Sequence, residues 1–462
     1  MIGETPAGPQ EECPRAVSLL LLFAALALAL LSARSYAGSW NDGSRLATVE
    51  SLVDLHTLAI DRSIFVQVPP PGEASPYRPL KSGLAPSGTF DKVFIDGHYY
   101  SDKPPVPALW LAGLYQTLQW STGLVARERP DRFCYWMTVG SAGLAFVVAV
   151  WCLYRLAQAL QLPLSLGLLL TGSFGLSTMA LPYARNVNAH ILLLAVATAL
   201  VLSLVRLAGQ ISWPRILGLG TLAGIGYTID LGVGPVFLLC TLILVIYRTR
   251  SVKLAVVFLL AALPWVGLHH AVNYAIGGTI RPAGMVPQYF QWPGSPFKKV
   301  FTGVYNHPTI GHLLTYAAGL LVGPRGFFNH NLPVWLAVPA SVALLRARGK
   351  YFPEVLYAAG TSIGAWAVYA VGSTNYSGEA VSIRWFVPLL APGFFILCLF
   401  LRERPQYRAD LVVLSVWGAV LGWFMWRTGP WTNRPVPFLW PLQAAALLTW
   451  GYVAWSRWTA TR

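Results

Sequence analysis

The chain has 462 residues, a formal net charge of +15, 55% apolar residues and only 11% charged ones, with a mean hydropathy of +0.54. A soluble globular chain carries about a quarter charged residues, so this one lacks the polar surface to cover itself in water. Its basic residues sit in short clusters between apolar runs, a pattern that sets membrane topology and meets anionic lipid; nucleic-acid binding is not expected.

Apolar runs long enough to cross a bilayer, about 17–25 residues, lie near 16–36, 133–158, 163–181, 189–207, 213–229, 231–247, 252–273, 331–346, 352–372, 384–402, 410–427 and 436–456. A further run at 104–124 follows the stretch HYYSDKPP. The basic connectors decide its placement: Arg206/Arg215, YRTRSVK (247–253), LRARGK (345–350), LRERPQYR (401–408) and the tail with Arg457 and Arg462 fall on one side, with Arg155, only if 104–124 does not cross. The segment therefore reads as a helix lying along the bilayer surface. The expected fold class is an all-α integral membrane protein, a bundle of about 12 (11–13) transmembrane helices with surface-lying helices in a long first outer loop. Residues 1–462 read as a single polytopic membrane domain with no separate soluble domain, both termini cytoplasmic, a first outer loop at about 38–132 and a later one at about 274–330. The acidic tail (Glu4, Glu11, Glu12) pulls against this orientation, and SYA before Gly38 resembles a leader cleavage site behind an acidic rather than basic n-region. The 19 Trp and 20 Tyr suit aromatic belts at the bilayer surfaces. Cys13, Cys134, Cys152, Cys240 and Cys398 show no ligand spacing and read as buried small residues; neither a metal nor a cofactor is expected.

Candidate site residues gather on the expected outer side. Asp42 follows the first span in WNDGSRLATVESLVDL, where Leu46, Val49 and Val53 have the spacing of a short amphipathic helix. It either caps that helix or serves as a general base for an acceptor hydroxyl. Lys103, held before two prolines, either snorkels or grips a lipid phosphate. Arg185 in LPYARNVNAH and Arg384 in SGEAVSIRWF, with Glu379 nearby, are interfacial anchors or further phosphate contacts. Asp230 is an ionisable group at membrane depth or its edge, a functional hypothesis by default or else a helix cap. His269, His270, His307 and His312 lack a third metal ligand.

Taken in order, NDGSRLATVESLV, DGHYYSDKPP, YARNVNAHILLLA, PRGFFNHNLP and NYSGEAVSIRWFVPLLAPGF resemble segments of the GT-C glycosyltransferases related to protein O-mannosyltransferases and lipid A aminoarabinose transferases. In that family an Asp-(Glu)-x-Arg-Tyr segment follows the first span, a Gly-x-Tyr-x-x-Lys-Pro-Pro segment closes the same loop, and an acid lies in the second outer loop. The resemblance implies Asp42 as catalytic carboxylate, Lys103 on the lipid-linked phosphate, and Arg384, Arg185 and Arg325 as further phosphate contacts. Tyr100, Asp96 and Glu379 become possible acceptor or sugar contacts. Two positions depart from the pattern, since the family's second acid is Gly43 here and the acid of the second outer loop is His190.

The function this implies is transfer of a sugar from a polyprenyl-phosphate donor to a lipid, glycan or protein hydroxyl. Inversion at the anomeric carbon, a site on the outer face and a bacterial inner membrane complete the expectation. A transporter or flippase of lipid-linked sugars, or a non-catalytic relative, are the alternatives; the former would place ionisable groups near the bilayer midplane in paired broken helices.

Overall fold

Arg15–Ser32 (α1), a run of Leu and Ala without an acid, is a helix with most of its surface turned outward, as lipid contact requires. A computed structural model describes residues 15–70, 73–77, 87–297 and 302–460; Cys13, Glu4, Glu11 and Glu12 lie outside them. After α1 come α2 (Trp40–Asp54), a hairpin of β1 (Lys92–Ile95) and β2 (His98–Ser101), α3 (Val106–Thr122), α4 (Pro130–Thr138) and α5 (Leu144–Ala159). Next are α6 (Leu164–Leu176), α7 (Ala180–Tyr183), α8 (Ala189–Gly209), α9 (Trp213–Ile229), α10 (Gly234–Thr249) and α11 (Val252–Gly277). The chain continues through α12 (Ile310–Val322), α13 (Ala337–Ala347), α14 (Phe352–Gly372), α15 (Leu390–Glu403), α16 (Arg408–Thr428) and α17 (Leu439–Ala460).

Among the described residues, seven helical stretches are long and apolar enough to cross a bilayer, and four shorter apolar helices accompany them. The chain is an integral membrane protein. The stretch Arg384–Glu403 and α8 are the most enclosed of the seven, packed among α5, α6, α9 and α14, with Phe174 edge-on to Phe394 at 5.2 Å. The basic connectors expected on one side do meet: Arg248 bonds Glu354 at 2.8 Å and the Lys350 carbonyl at 3.2 Å, and Arg402 reaches the Leu160 carbonyl at 3.3 Å.

Several boundaries differ from the sequence reading. The expected outer loop at 274–330 contains α12, capped by Thr309, whose hydroxyl accepts from the His312 N–H. At 13 residues α12 is shorter than the span length that marks a crossing, so hydropathy passes over it. The run 163–181 breaks after Leu176, and α7 follows as a separate turn. The hairpin is an exception to the all-α expectation; its turn residues Asp96 and Gly97 have φ of +50° and +88°, the left-handed pair that a two-residue hairpin loop demands. Cys134, Cys152 and Cys398 are buried free thiols, while Cys240 is half-buried.

Leu46, Val49 and Val53 are buried as their spacing predicts, but α2 is enclosed from Asn41 to Ser51 on every side rather than lying on a surface. Its polar face meets protein: Ser44 bonds Ser101 at 2.6 Å, and Glu50 accepts from the Ser63 hydroxyl at 2.5 Å and the Ile64 N–H at 3.0 Å. On the other flank, Tyr115 and Gln119 of α3 donate to Asp54, each at 2.9 Å. The hairpin leans on the later loop through Lys92, whose ammonium lies 4.5 Å from the Tyr99 ring and 5.0 Å from that of Trp292, while the Trp292 indole donates to the Lys92 carbonyl at 3.3 Å. These loops close over one end of the bundle.

Candidate functional site

Ser39, in extended backbone, opens α2 with a capping box. Asp42 Oδ1 accepts from the Ser39 N–H at 2.7 Å and the Ser39 hydroxyl at 2.6 Å; Oδ2 accepts from the Gly38 N–H at 2.6 Å and Asn186 Nδ2 at 3.0 Å. Burial pushes this carboxyl above the usual range, and the bonds from Ser39 and Gly38 pull it back. Asp42 is 0% exposed and does not line the cavity described below. In this conformation each oxygen accepts two hydrogen bonds, and the residue ties the first loop to the YARNVNAH stretch. Gly43, the departure from the family pattern, also has a local cause. A Cβ there would lie 2.4 Å from the hydroxyl of Tyr77, which donates to the Phe65 carbonyl at 2.7 Å.

One turn along α2, the neighbouring face, with Asn41 and Arg45, opens on a cavity of about 620 Å³ between the loops and the helix bundle. Three cations line it: Arg45, Lys103 and Arg384. Three carboxylates face them: Asp91, Asp102 and Asp230. Lys103 is committed, its ammonium lying 2.7 Å from Asp91 and 2.8 Å from Asp102. Burial raises the Asp102 carboxyl, and Lys103 opposes that rise. The two arginines are less engaged. Arg45 is 6% exposed, reaches Asn41 Oδ1 at 3.5 Å through Nε, and leaves Nη1 buried without a partner. Burial lowers its guanidinium to about 10, so it stays charged at neutral pH. Arg384 stands over the Trp431 ring at 5.5 Å, with Nε buried and unpartnered.

The bundle supplies the other wall. Asn188 caps α8 by accepting from the Ile191 N–H at 3.0 Å, which places His190 in the first helical turn. His190 lines the cavity, 4% exposed, with neither ring nitrogen hydrogen-bonded. Its Nδ1 lies 3.7 Å from Asp230 Oδ2. Asp230 ends α9, and its Oδ1 accepts from the N–H groups of Gly232 (2.8 Å) and Val233 (3.0 Å) and from the Tyr369 hydroxyl (3.0 Å). Asp230 therefore both caps a helix turn and lines the cavity. Tyr369 stacks on Trp385 at 4.1 Å, which fixes the segment that bears Arg384.

The remaining expected site residues lie outside the cavity. Arg325 spans two loops, donating to the Gly378 carbonyl at 2.6 Å and the Asn433 carbonyl at 3.0 Å. Arg185 is buried against the Trp426 ring at 5.1 Å. Asp96 is the exposed turn residue of the hairpin, and Tyr100 of β2 packs beside Val93 and Ile95. Glu379 is exposed. None of these five lines that cavity. Sequence reasoning missed Arg45, Asp91 and Asp102. Arg45 had a signal, being the arginine of the Asp-x-x-Arg segment and one helical turn from Asn41, on the same face. Asp91 had none, because only the hairpin brings it back to Lys103.

No protein-family profile matches the chain, and no curated protein does. Among solved structures, ArnT from Cupriavidus metallidurans bound to undecaprenyl phosphate aligns with a TM-score of 0.51 and 13% identity, over 96% of this chain and 76% of that one. The apo ArnT structure gives 0.48 and 15% identity, over 95% and 75%. The Archaeoglobus fulgidus oligosaccharyltransferase in its apo form gives 0.44 and 10%, over 96% and 56%. The first likeness shows the fold, the GT-C fold that the residue resemblance pointed to.

Proposed function

We propose that the chain, acting as one polytopic domain, is a glycosyltransferase that takes a sugar from a polyprenyl-phosphate donor and passes it to a hydroxyl acceptor on the outer face of a bacterial inner membrane. One observation carries the reading: Arg45 and Arg384, two guanidinium groups with buried, unsatisfied donors, face the same cavity. A charged donor left unmatched in the interior costs several kcal/mol, so such a pair calls for an anion. The shared fold supports a lipid phosphate as that anion, because the ArnT structure is bound to undecaprenyl phosphate.

In this reading the arginines hold the donor's phosphate and stabilise the charge that grows on it as the glycosidic bond breaks. Lys103 is the third cation; to reach the phosphate its ammonium exchanges Asp91 or Asp102 for it. Phosphate is a good leaving group, so no strong general acid is required. Attack from the opposite face inverts the anomeric carbon, and Asp42 positions α2 and with it Arg45. Grouping the polar residues at one end of the bundle favours this reading over a carrier with charges near the bilayer midplane. Undecaprenyl phosphate binding by the purified protein in detergent tests it. Removing one charge-assisted contact, worth roughly 1.5–3 kcal/mol, should weaken binding about 10- to 150-fold in Arg384→Ala and in Arg45→Ala. Undiminished binding in both variants would overturn it.

A further inference from the structure

An acceptor hydroxyl must lose a proton as it attacks, and the residue expected to take it, Asp42, is sealed behind four hydrogen bonds. The cavity wall holds another arrangement suited to the task. His190 lines the cavity that also holds the cations of the donor site, and both its ring nitrogens, buried in this conformation, lack hydrogen-bond partners. Nδ1 looks toward Asp230 Oδ2 at 3.7 Å. That carboxylate cannot swing away, because its other oxygen is pinned by two backbone N–H groups and the Tyr369 hydroxyl.

A fixed carboxylate facing Nδ1 favours the tautomer with the proton on that nitrogen, which leaves the Nε2 lone pair open to an acceptor. A distance slightly beyond hydrogen-bond length is usual for catalytic pairs in an unliganded site and tightens around substrate. The charges around the ring belong to four elements. Arg45 comes from α2, Lys103 with its partners Asp91 and Asp102 from the first loop, Asp230 from the end of α9, and Arg384 from the segment before α15. His269 of α11 lines the same cavity and bonds Asn273 at 3.2 Å. Asp91 and Asp102 share Lys103, whose ammonium lies against an oxygen of each, so they are less free to receive an acceptor.

We propose that His190, oriented by Asp230, is the general base that takes the acceptor's proton. The proposal rests on the transferase reading above. In the step, the acceptor oxygen forms its bond to the anomeric carbon while its proton passes to His190 Nε2. The bond between that carbon and the phosphate oxygen breaks, and its electron pair leaves with the polyprenyl phosphate. His190 is the catalytic residue here, and Asp230 is a positioning residue that acts through it.

The test uses the full chain in liposomes with radiolabelled undecaprenyl-phosphate glucose, mannose and an aminosugar as probes, and total membrane acceptors. His190→Gln should lower kcat by roughly 10²–10⁴-fold, the range for general-base catalysis, while the Kd for undecaprenyl phosphate stays within about threefold. The wild-type rate should rise with pH along one limb, and His190→Gln should abolish that limb. Asp230→Asn keeps an oxygen for Gly232, Val233 and Tyr369 but removes the negative charge, so the limb should move to lower pH with a reduced plateau. A merely structural role would not move the limb. Wild-type kcat and an unchanged limb in His190→Gln would overturn the proposal, and if that variant does not fold, an unmoved limb in Asp230→Asn would do so. Failure of the wild type to transfer from any of the three donors would overturn the transferase reading, and this inference with it.

Discussion

Replacing Asp42 by Asn separates a structural carboxylate from a catalytic one. Both oxygens of Asp42 face donors only: Gly38 N–H, Ser39 N–H, the Ser39 hydroxyl and Asn186 Nδ2. An amide keeps one acceptor oxygen and turns an NH₂ toward the other two donors. Two buried hydrogen bonds are then lost against unsatisfied partners, at roughly 1–3 kcal/mol each, a total of about 2–6 kcal/mol. At about 2 °C per kcal/mol for a large domain, the low end of that range lowers Tm by roughly 4 °C. Ser39→Ala, which removes only the hydroxyl, should cost about 1 kcal/mol, as an N-cap loss does, and lower Tm by roughly 2 °C. The assay is thermal unfolding of purified protein followed by tryptophan fluorescence, paired with transfer activity well below Tm. The expected result is a clear loss of stability with activity per folded molecule within about tenfold of wild type. An unchanged Tm with abolished transfer would refute this and restore Asp42 as the base.

Three further outcomes follow from the same geometry. Burial raises the Glu50 carboxyl to about 7; a folded pKa above the unfolded one gives stability that is full below about pH 4.3 and lost as pH rises through 7. Glu50→Gln, which keeps an oxygen for Ser63 and Ile64, should therefore be more stable than wild type at pH 8.5, by about 3 kcal/mol at most, with no gain at pH 4, by unfolding at the two pH values. Lys103→Met leaves Asp91 and Asp102 facing each other without their cation and should cost roughly 3–5 kcal/mol at pH 7.5. Burial already raises the Asp102 carboxyl, so its protonation in that variant should return part of the loss at pH 5, and adding Asp102→Asn should return part of it at pH 7.5. Arg325→Ala removes the tie between the Gly378 and Asn433 carbonyls and should lower Tm without altering the Kd for undecaprenyl phosphate, the opposite of Arg384→Ala.

The fold was legible where long apolar runs and basic connectors carried it, because lipid requires continuous helices and the connectors mark one side. What escaped was short or non-local. α12 is shorter than the apolar runs that mark a span, and nothing in the local pattern of α2 says that its polar face would be covered by α3, the hairpin and Tyr77. The site was half legible. Lys103, Arg384, His190 and Asp230 do line one cavity, since each sits at a helix end where polar residues have few other reasons to be. Asp42 stays open in sequence because a capping carboxylate and a catalytic one look alike there; its four bonds show the cap. Arg185 and Arg325 are ambiguous for a similar reason, as an arginine near a helix end serves a ring or a loop carbonyl as readily as a phosphate. Asp91 depends on strand pairing across the Asp96–Gly97 turn, which places it beside Lys103 from twelve residues away.

The most direct test of the transferase reading is the fate of the label. Purified full-length protein in liposomes receives undecaprenyl-phosphate sugar labelled in the sugar, with total membrane acceptors, and both labelled acceptor and free undecaprenyl phosphate are followed over time. The account predicts that label reaches an acceptor in step with release of undecaprenyl phosphate, and that Arg45→Ala and Arg384→Ala slow both together. Label that stays on the lipid with every donor tried, although undecaprenyl phosphate binds, would contradict it.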